Sequence, residues 1–206
     1  MEVEGGHRLM QALAAKRNAI IREWLARTLQ TYPEQTSRFL AHEKDPFRNP
    51  VGHTIREAFP VLFDALLGGT DAARVMPVLD GIVRIRAVQD FTAGQAVAFI
   101  FLLKRVIRDA LKRPPHPPLS PRGGEDDEEG AAWAEALAAV EARIDQMSLL
   151  AFDLFMKCRE RMYEIRTNEA RRRMFLLERM HGLDPSADVR GSDVSSESQP
   201  CGSGLT

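Results

Sequence analysis

The stretch TAGQAVAFIFLLKRVIRDALK, residues 92–112, decides the fold class of this 206-residue chain. Thr92 and Gln95 have the spacing of a capping box, in which each side chain bonds the backbone N–H of the other, and they predict a helix that begins at about Ala93. The sequence behind them is apolar almost all round through Leu103, which is typical of a helix at the centre of a bundle. We therefore predict an all-α protein with this segment as its core helix.

Helical periodicity extends from the core helix toward the start of the chain. One apolar stripe predicts a single helix over residues 7–31, and a short helix is expected to follow and to end near Lys44. Further stripes lie at residues 55–66 and 75–83, each with an internal proline that predicts a kink or a delayed start. No segment has the alternating pattern of a convincing strand.

The loop DPFRNPVGHT, residues 45–54, interrupts this helical pattern. Asp45 and Asn49 can bond the backbone that follows them, and two prolines fix the turn geometry, so a structural joint is predicted. Loops also carry function, and Asn49 and His53 are therefore kept as candidate ligand contacts.

The longest predicted helix covers residues 131–180, which contain neither proline nor glycine. From Trp133 to Ile165, apolar residues recur at spacings of four and three, which predicts packing along the whole length. The apolar face is broad at first and narrows to Cys158, Met162 and Ile165 among charged residues. We expect the helix to begin inside a domain and to leave it, with these three residues as the seam of a parallel homodimer.

Two segments have compositions that do not form packed elements. Residues 113–130 hold five prolines and an acidic run, and residues 183–206 are rich in serine, glycine and aspartate. Such compositions are typical of a solvated linker and a disordered tail. The domain is therefore predicted to span residues 1–182, with the linker inside it.

Composition and motifs exclude several function classes. The formal net charge of −1 gives no electrostatic footprint for nucleic acid. The longest apolar run, AVAFIFLL at 96–103, is too short to span a bilayer, and the acidic start MEVEGGHRLM is not a secretory signal. No phosphate-binding glycine motif and no zinc-binding His-Glu-x-x-His helix is found. We expect a cytoplasmic protein that is not an enzyme and holds no cofactor or metal.

Charged residues near position 86 form a candidate ligand or switch site. Arg86 falls on the same helical face as Leu79 and Ile82, and Asp90 lies four residues further on. A buried ion pair between Arg86 and Asp90 is therefore predicted. A second interpretation is that Arg84 or Arg86 meets an anionic ligand.

Cys158 is a further candidate switch residue. Lys157, Arg159 and Arg161 surround it, and cationic neighbours favour the reactive thiolate, so redox sensing is one interpretation. A cysteine within an apolar heptad is more often a small packed side chain. Both interpretations stay open.

Several stretches are similar to those of a known family. They are WLARTLQTYP (24–33), DPFRNPVGHT (45–54), LFDALLGG (62–69), IVRIRAVQDFTAGQAVAFIFLLK (82–104) and FMKCRERMYEIRTNE (155–169). With these stretches, which lie within about positions 8–182, the chain resembles the RsbRD-type N-terminal domain family of RsbT co-antagonist proteins, which act in bacterial stress signalling.

The resemblance implies a non-catalytic sensory module with a globin-like, non-haem helical fold. In related stressosome proteins such a domain precedes a phosphorylated sulphate-transporter and anti-sigma antagonist (STAS) domain, which we expect to be absent because only a tail follows Gly182. A sensor or protein-interaction domain is therefore expected, with a second copy and unidentified regulatory proteins as partners. Two alternatives stay open: a haem-binding or gas-sensing globin, and a purely structural dimerisation adaptor.

Overall fold

The computed structural model describes residues 2–68, 72–112 and 125–180. Within these ranges the chain forms seven helices and no strand, so the prediction of an all-α protein is confirmed. The helices are α1 (Glu2–Ala15), α2 (Arg17–Leu29), α3 (Glu34–His42), α4 (Pro50–Gly68), α5 (Ala72–Val88), α6 (Ala93–Lys112) and α7 (Glu125–Met180). Residues 113–124 of the predicted linker and the predicted tail, 183–206, lie outside the described ranges.

The chain divides into two compact units, Met1–Arg161 and Met162–Thr206. The first unit holds α1 to α6 and most of α7. The described part of the second unit is the helical segment 162–180, in which every side chain from Tyr163 onward is exposed.

Three aromatic rings stand at the centre of the first unit. The ring of Trp24 stacks on Phe59 with 3.9 Å between centroids, and Phe99 lies 5.9 Å from Phe59 in a second stack. The Trp24 indole N–H donates to the Phe99 carbonyl oxygen at 2.6 Å, so the polar group of the ring is satisfied inside the core. The three rings join α2, α4 and α6, in agreement with the predicted central role of α6, although Phe101 on its other side is 46% exposed.

The predicted apolar face of α7 is buried in the first unit between Val140 and Phe155, whereas Ile165 at its far end is exposed. Its buried residues are Val140, Ile144, Met147, Ala151 and Phe155. Two ion pairs with α6 border this face: Arg108 with Glu141 at 2.5 Å and Lys104 with Asp145 at 2.6 Å.

Two helix boundaries differ from the prediction. The expected single helix over residues 7–31 is broken at Lys16, whose ammonium donates to the carbonyl oxygen of Ala110 at 2.6 Å, in the last turn of α6. α7 begins at Glu125, inside the segment predicted to be linker.

Two prolines lie inside continuous helices. Pro60 is within α4, and Pro77 is within α5, which begins before it at Ala72. A proline removes one backbone hydrogen bond from a helix. At Pro60 the buried neighbours Phe59 and Leu62 hold the helix against the core, so the predicted delay is not observed.

Candidate functional site

Arg86, in the last turn of α5, is fully buried in the first unit. Its guanidinium carbon lies 5.1 Å from the ring centroid of Tyr32, 4.9 Å from that of Phe91 and 5.2 Å from that of Phe99. These distances allow a cation–π interaction with each ring, worth about 0.5–2 kcal/mol. We call the three rings the aromatic cage.

The hydrogen bonds of Arg86 all go to neutral groups. Nη1 donates to the Gln95 carbonyl oxygen at 3.0 Å, and Nη2 donates to the Thr31 hydroxyl oxygen at 3.2 Å. Nε has no partner within the described ranges, and no carboxylate of these residues forms an ion pair with the guanidinium. Since arginine stays protonated in proteins, the core contains a positive charge without a negative partner from the described chain.

The predicted ion pair between Arg86 and Asp90 is wrong. The Asp90 side chain is 86% exposed and lies 3.9 Å from Arg159 of α7. The helix ends at Val88, two residues before Asp90, so the spacing of four no longer places the two side chains on one face.

A Schellman turn explains this arrangement. Asp90 has a φ of 59°, the left-handed conformation that ends many helices, and the Phe91 N–H donates back to the Arg86 carbonyl oxygen at 3.4 Å. The turn leaves the Asp90 carboxylate in solvent and places the Phe91 ring in the cage.

Burial changes the proton affinity of two groups in the cage. It lowers the pKa of Arg86, because removal from water disfavours the charged form, and the neighbouring Tyr32 opposes this change. Burial also raises the pKa of Tyr32, and the positive charge of Arg86 opposes that increase. The guanidinium faces the ring of Tyr32, and direct contact between the two side chains also opposes both pKa shifts. The Tyr32 hydroxyl nevertheless has no partner with full hydrogen-bond geometry among the described residues.

Three buried polar atoms, in Arg86, in its neighbour Tyr32 and in the helical turn before Tyr32, have no hydrogen-bond partner within the described residues: Arg86 Nε, Tyr32 Oη and Thr28 Oγ1. Thr28 is one helical turn before Thr31, whose hydroxyl donates to the Thr28 carbonyl oxygen at 2.7 Å. Because more than nine in ten buried polar groups in proteins are satisfied, such a concentration marks the region as unusual.

α7 contacts the turn that carries Phe91. Arg159 Nη1 lies 3.4 Å from the Ala87 carbonyl oxygen and 3.9 Å from the Asp90 carboxylate. A cation at the C-terminal end of a helix is favoured by the partial negative charge there. Arg159 therefore joins α7 to the end of α5, next to the cage.

Asn49 is buried and serves the joint between α3 and α4. Its Nδ2 donates to the carbonyl oxygens of Leu40 and Glu43 at 3.1 and 2.8 Å, and its Oδ1 accepts from the Gly52 N–H at 2.8 Å. A Cβ at position 52 would collide with the Asn49 amide, so a glycine is required there. The loop thus forms the predicted structural joint, with α4 beginning at Pro50.

The remaining predicted site residues are not in contact with the Arg86 guanidinium. His53 pairs with Glu57 at 3.3 Å on α4, and the exposed Arg84 pairs with Asp80 at 2.7 Å. Cys158 is half-buried and packs against the core of the first unit. Its proposed redox role stays a prediction.

The sequence interpretation missed the aromatic cage. Its rings come from a turn before Pro33, from the turn before the capping box and from the middle of α6. One local signal was available, since Phe91 immediately precedes the N-cap Thr92, a position where an apolar residue often packs onto its helix.

Other site types find little support among the described residues. No group of three or more histidine, cysteine, aspartate or glutamate side chains in these ranges could hold a metal ion. The described histidines, His7, His42 and His53, are exposed or half-buried. Within the same ranges, none of the helices combines the length and apolar character needed to cross a membrane.

The comparisons with known proteins identify a family. The model of the RsbT co-antagonist protein rsbRD N-terminal domain matches residues 18–170, most of the chain, including the cage and Arg159. No curated protein and no solved structure matches.

Proposed function

This chain belongs to the RsbT co-antagonist protein RsbRD N-terminal domain family, and on that premise we propose that it is a non-catalytic sensory domain of bacterial stress signalling. The family match is the observation that carries the proposal. The domain works in the cytoplasm, where it relays a signal to other regulatory proteins. Its fold is expected to be globin-like without haem.

The second unit is the proposed output surface. Several of its large apolar side chains are exposed: Tyr163, Ile165, Met174, Phe175, Leu176, Leu177 and Met180. A concentration of exposed apolar residues favours a protein–protein contact. We assign this contact to a second copy of the chain, joined in parallel along Met162 and Ile165, with Cys158 at its start.

A parallel pair supplies a means of relay. A small rotation or shift of a helix at a subunit interface is one of the ways in which proteins transmit a switch. Arg159 ties α7 to the end of α5, so a change near the cage has a direct contact through which to act on α7.

Sedimentation of a double variant tests this proposal. Met162→Lys with Ile165→Lys places positive charges along the seam, where the two copies would face each other, and a folded monomer is expected. Glu164→Lys with Thr167→Lys is the matched control, because it has the same spacing on the opposite side of the helix. The control is expected to remain dimeric. A dimeric seam variant would place the interface elsewhere and contradict the assigned contact.

A further inference from the structure

One edge of the Arg86 guanidinium has unused hydrogen-bonding capacity. Nη1 is held by the Gln95 carbonyl oxygen, whereas Nε has no partner within the described residues and Nη2 reaches only the Thr31 hydroxyl at 3.2 Å. Nε–H and one N–H of Nη2 point in the same direction. This is an edge with which arginine binds a carboxylate through two parallel hydrogen bonds.

Two further donors come from the end of α2 and from the turn that follows it. The hydroxyls of Thr28 and Tyr32 are buried and have no partner among the described residues. With Thr31 they are three hydroxyls within five residues of chain, and Thr31 and Tyr32 of these contact Arg86. A ligand that carries negative charge and accepts hydrogen bonds would satisfy both the guanidinium and the hydroxyls.

We propose that Arg86, with the hydroxyls of Thr28, Thr31 and Tyr32, forms a binding site for a small monocarboxylate. A single negative charge matches the single buried positive charge. The rings of Phe91 and Phe99 lie 4.9 and 5.2 Å from the guanidinium carbon, so they limit the ligand to a small one. This inference deepens the proposed sensory function and rests on it for the biological role.

The ligand enters from the Thr31 side. Thr31 is exposed, whereas Arg86 is fully buried. The carboxylate takes the place of the Thr31 hydroxyl on Nη2 and gains Nε as its second donor. Replacement of the Thr31 hydroxyl by the carboxylate changes the contacts of the Arg86 side chain. The Arg86 carbonyl oxygen accepts a hydrogen bond from the Phe91 N–H, in the turn that Arg159 contacts.

Equilibrium dialysis of the full chain against radiolabelled acetate tests the site, at constant ionic strength. We expect one saturable site per chain, with affinity in the millimolar range or tighter. Arg86→Met should weaken binding about tenfold or more, because the bidentate contact is lost. Arg84→Met is the matched control, since it removes an exposed arginine two residues away, and it should bind as the wild type does.

A second variant covers the case in which Arg86→Met does not fold. Thr28→Val combined with Tyr32→Phe keeps the cation and removes two donors, and it should also bind acetate more weakly than the wild type. Absence of saturable binding to the wild type would overturn the proposal, as would wild-type affinity in a folded Arg86→Met or in the double variant. A chain that binds no acetate and still sediments as the predicted dimer would refute this site and leave the proposed function standing.

Discussion

Arg159 donates to the carbonyl oxygen of Ala87 at 3.4 Å, so α7 is in contact with the residue that directly follows the buried Arg86. The same guanidinium lies 3.9 Å from the carboxylate of Asp90. One side chain of α7 thus meets both the last turn of α5 and the Schellman turn behind it. Movement of that turn and movement of α7 are therefore expected to be coupled.

The first prediction concerns this contact. Arg159→Met should leave the chain folded but weaken the end of α5, because the Ala87 carbonyl oxygen loses its cationic partner, at a cost of about 0.5–1 kcal/mol. Hydrogen exchange followed by mass spectrometry should show faster exchange in peptides that cover residues 85–92. Arg161→Met, at an exposed position two residues on, is the control and should leave that exchange unchanged. Equal exchange in the wild type and Arg159→Met would mean that the contact carries no coupling.

The second prediction concerns the buried charge of Arg86. Arg86→Met should leave the free energy of unfolding within about 1 kcal/mol of the wild-type value or raise it, because the desolvated charge is removed and a flexible apolar chain packs well on aromatic rings. Arg86→Lys should lower it by about 2–3 kcal/mol, because a compact ammonium is strongly hydrated and lacks the planar fork. Urea unfolding of both variants provides the measurement. The reverse order would show that the guanidinium contributes net stability through the cage.

The third prediction concerns alkaline pH. The pKa of Tyr32 is raised by burial, so above the ordinary value of about 10 the unfolded chain loses this proton before the folded chain does. The stability that the protonated Tyr32 hydroxyl contributes is therefore fully present below about pH 10. It is lost as the pH rises through the higher pKa that Tyr32 has in the folded chain. Above about pH 10 the unfolding free energy of the wild type should therefore fall relative to that of Tyr32→Phe, which lacks this hydroxyl.

Below that pH the difference between Tyr32→Phe and the wild type should be constant. The variant should be more stable there by about 1 kcal/mol, because a buried hydroxyl without a partner among the described residues is removed. Tyr163→Phe, at an exposed tyrosine, is the control and should not alter the pH dependence in this way. A difference that stays flat through pH 10 would contradict the assignment to Tyr32.

The fourth prediction concerns the joint between α3 and α4. Asn49→Ala should lower the free energy of unfolding by about 2–3 kcal/mol, because the Gly52 N–H loses its acceptor and a buried polar contact is removed. Asn49→Asp should cost at least as much. Its carboxylate can still accept from Gly52, but it would face the carbonyl oxygens of Leu40 and Glu43.

The control for the joint is Asp45→Ala. Asp45 accepts from the Phe47 N–H at 2.9 Å in an exposed turn, so its loss should cost less than about 1 kcal/mol. Thermal or urea unfolding separates the three variants. If Asn49→Asp were as stable as the wild type, capping alone would explain the role of Asn49.

The start of α6 could be predicted from sequence because its determinants are local. The Thr92 N–H donates to Gln95 Oε1 at 3.0 Å, and the Gln95 N–H donates to Thr92 Oγ1 at 3.3 Å, which is the predicted capping box. The joint at Asn49 could be predicted for the same reason. In both cases the interacting groups lie within a few residues of one another.

Features that depend on distant contacts could not be predicted. The break at Lys16 is accompanied by a hydrogen bond to Ala110, ninety-four residues away. The aromatic cage joins rings from three separate segments. The spacing of four residues between Arg86 and Asp90 had instead suggested Asp90 as the partner of Arg86. Periodicity correctly placed Arg86 on an inward face, but it could not identify the side chains that meet it.

The stack of Trp24 on Phe59 also has an optical consequence. Phe99 belongs both to this stack and to the cage, so a rearrangement of the cage that moves Phe99 changes the surroundings of the Trp24 indole. The chain has two tryptophans, and the other, Trp133, lies on α7. In a Trp133→Phe variant, the fluorescence of Trp24 alone would report on the centre of the first unit without an added label.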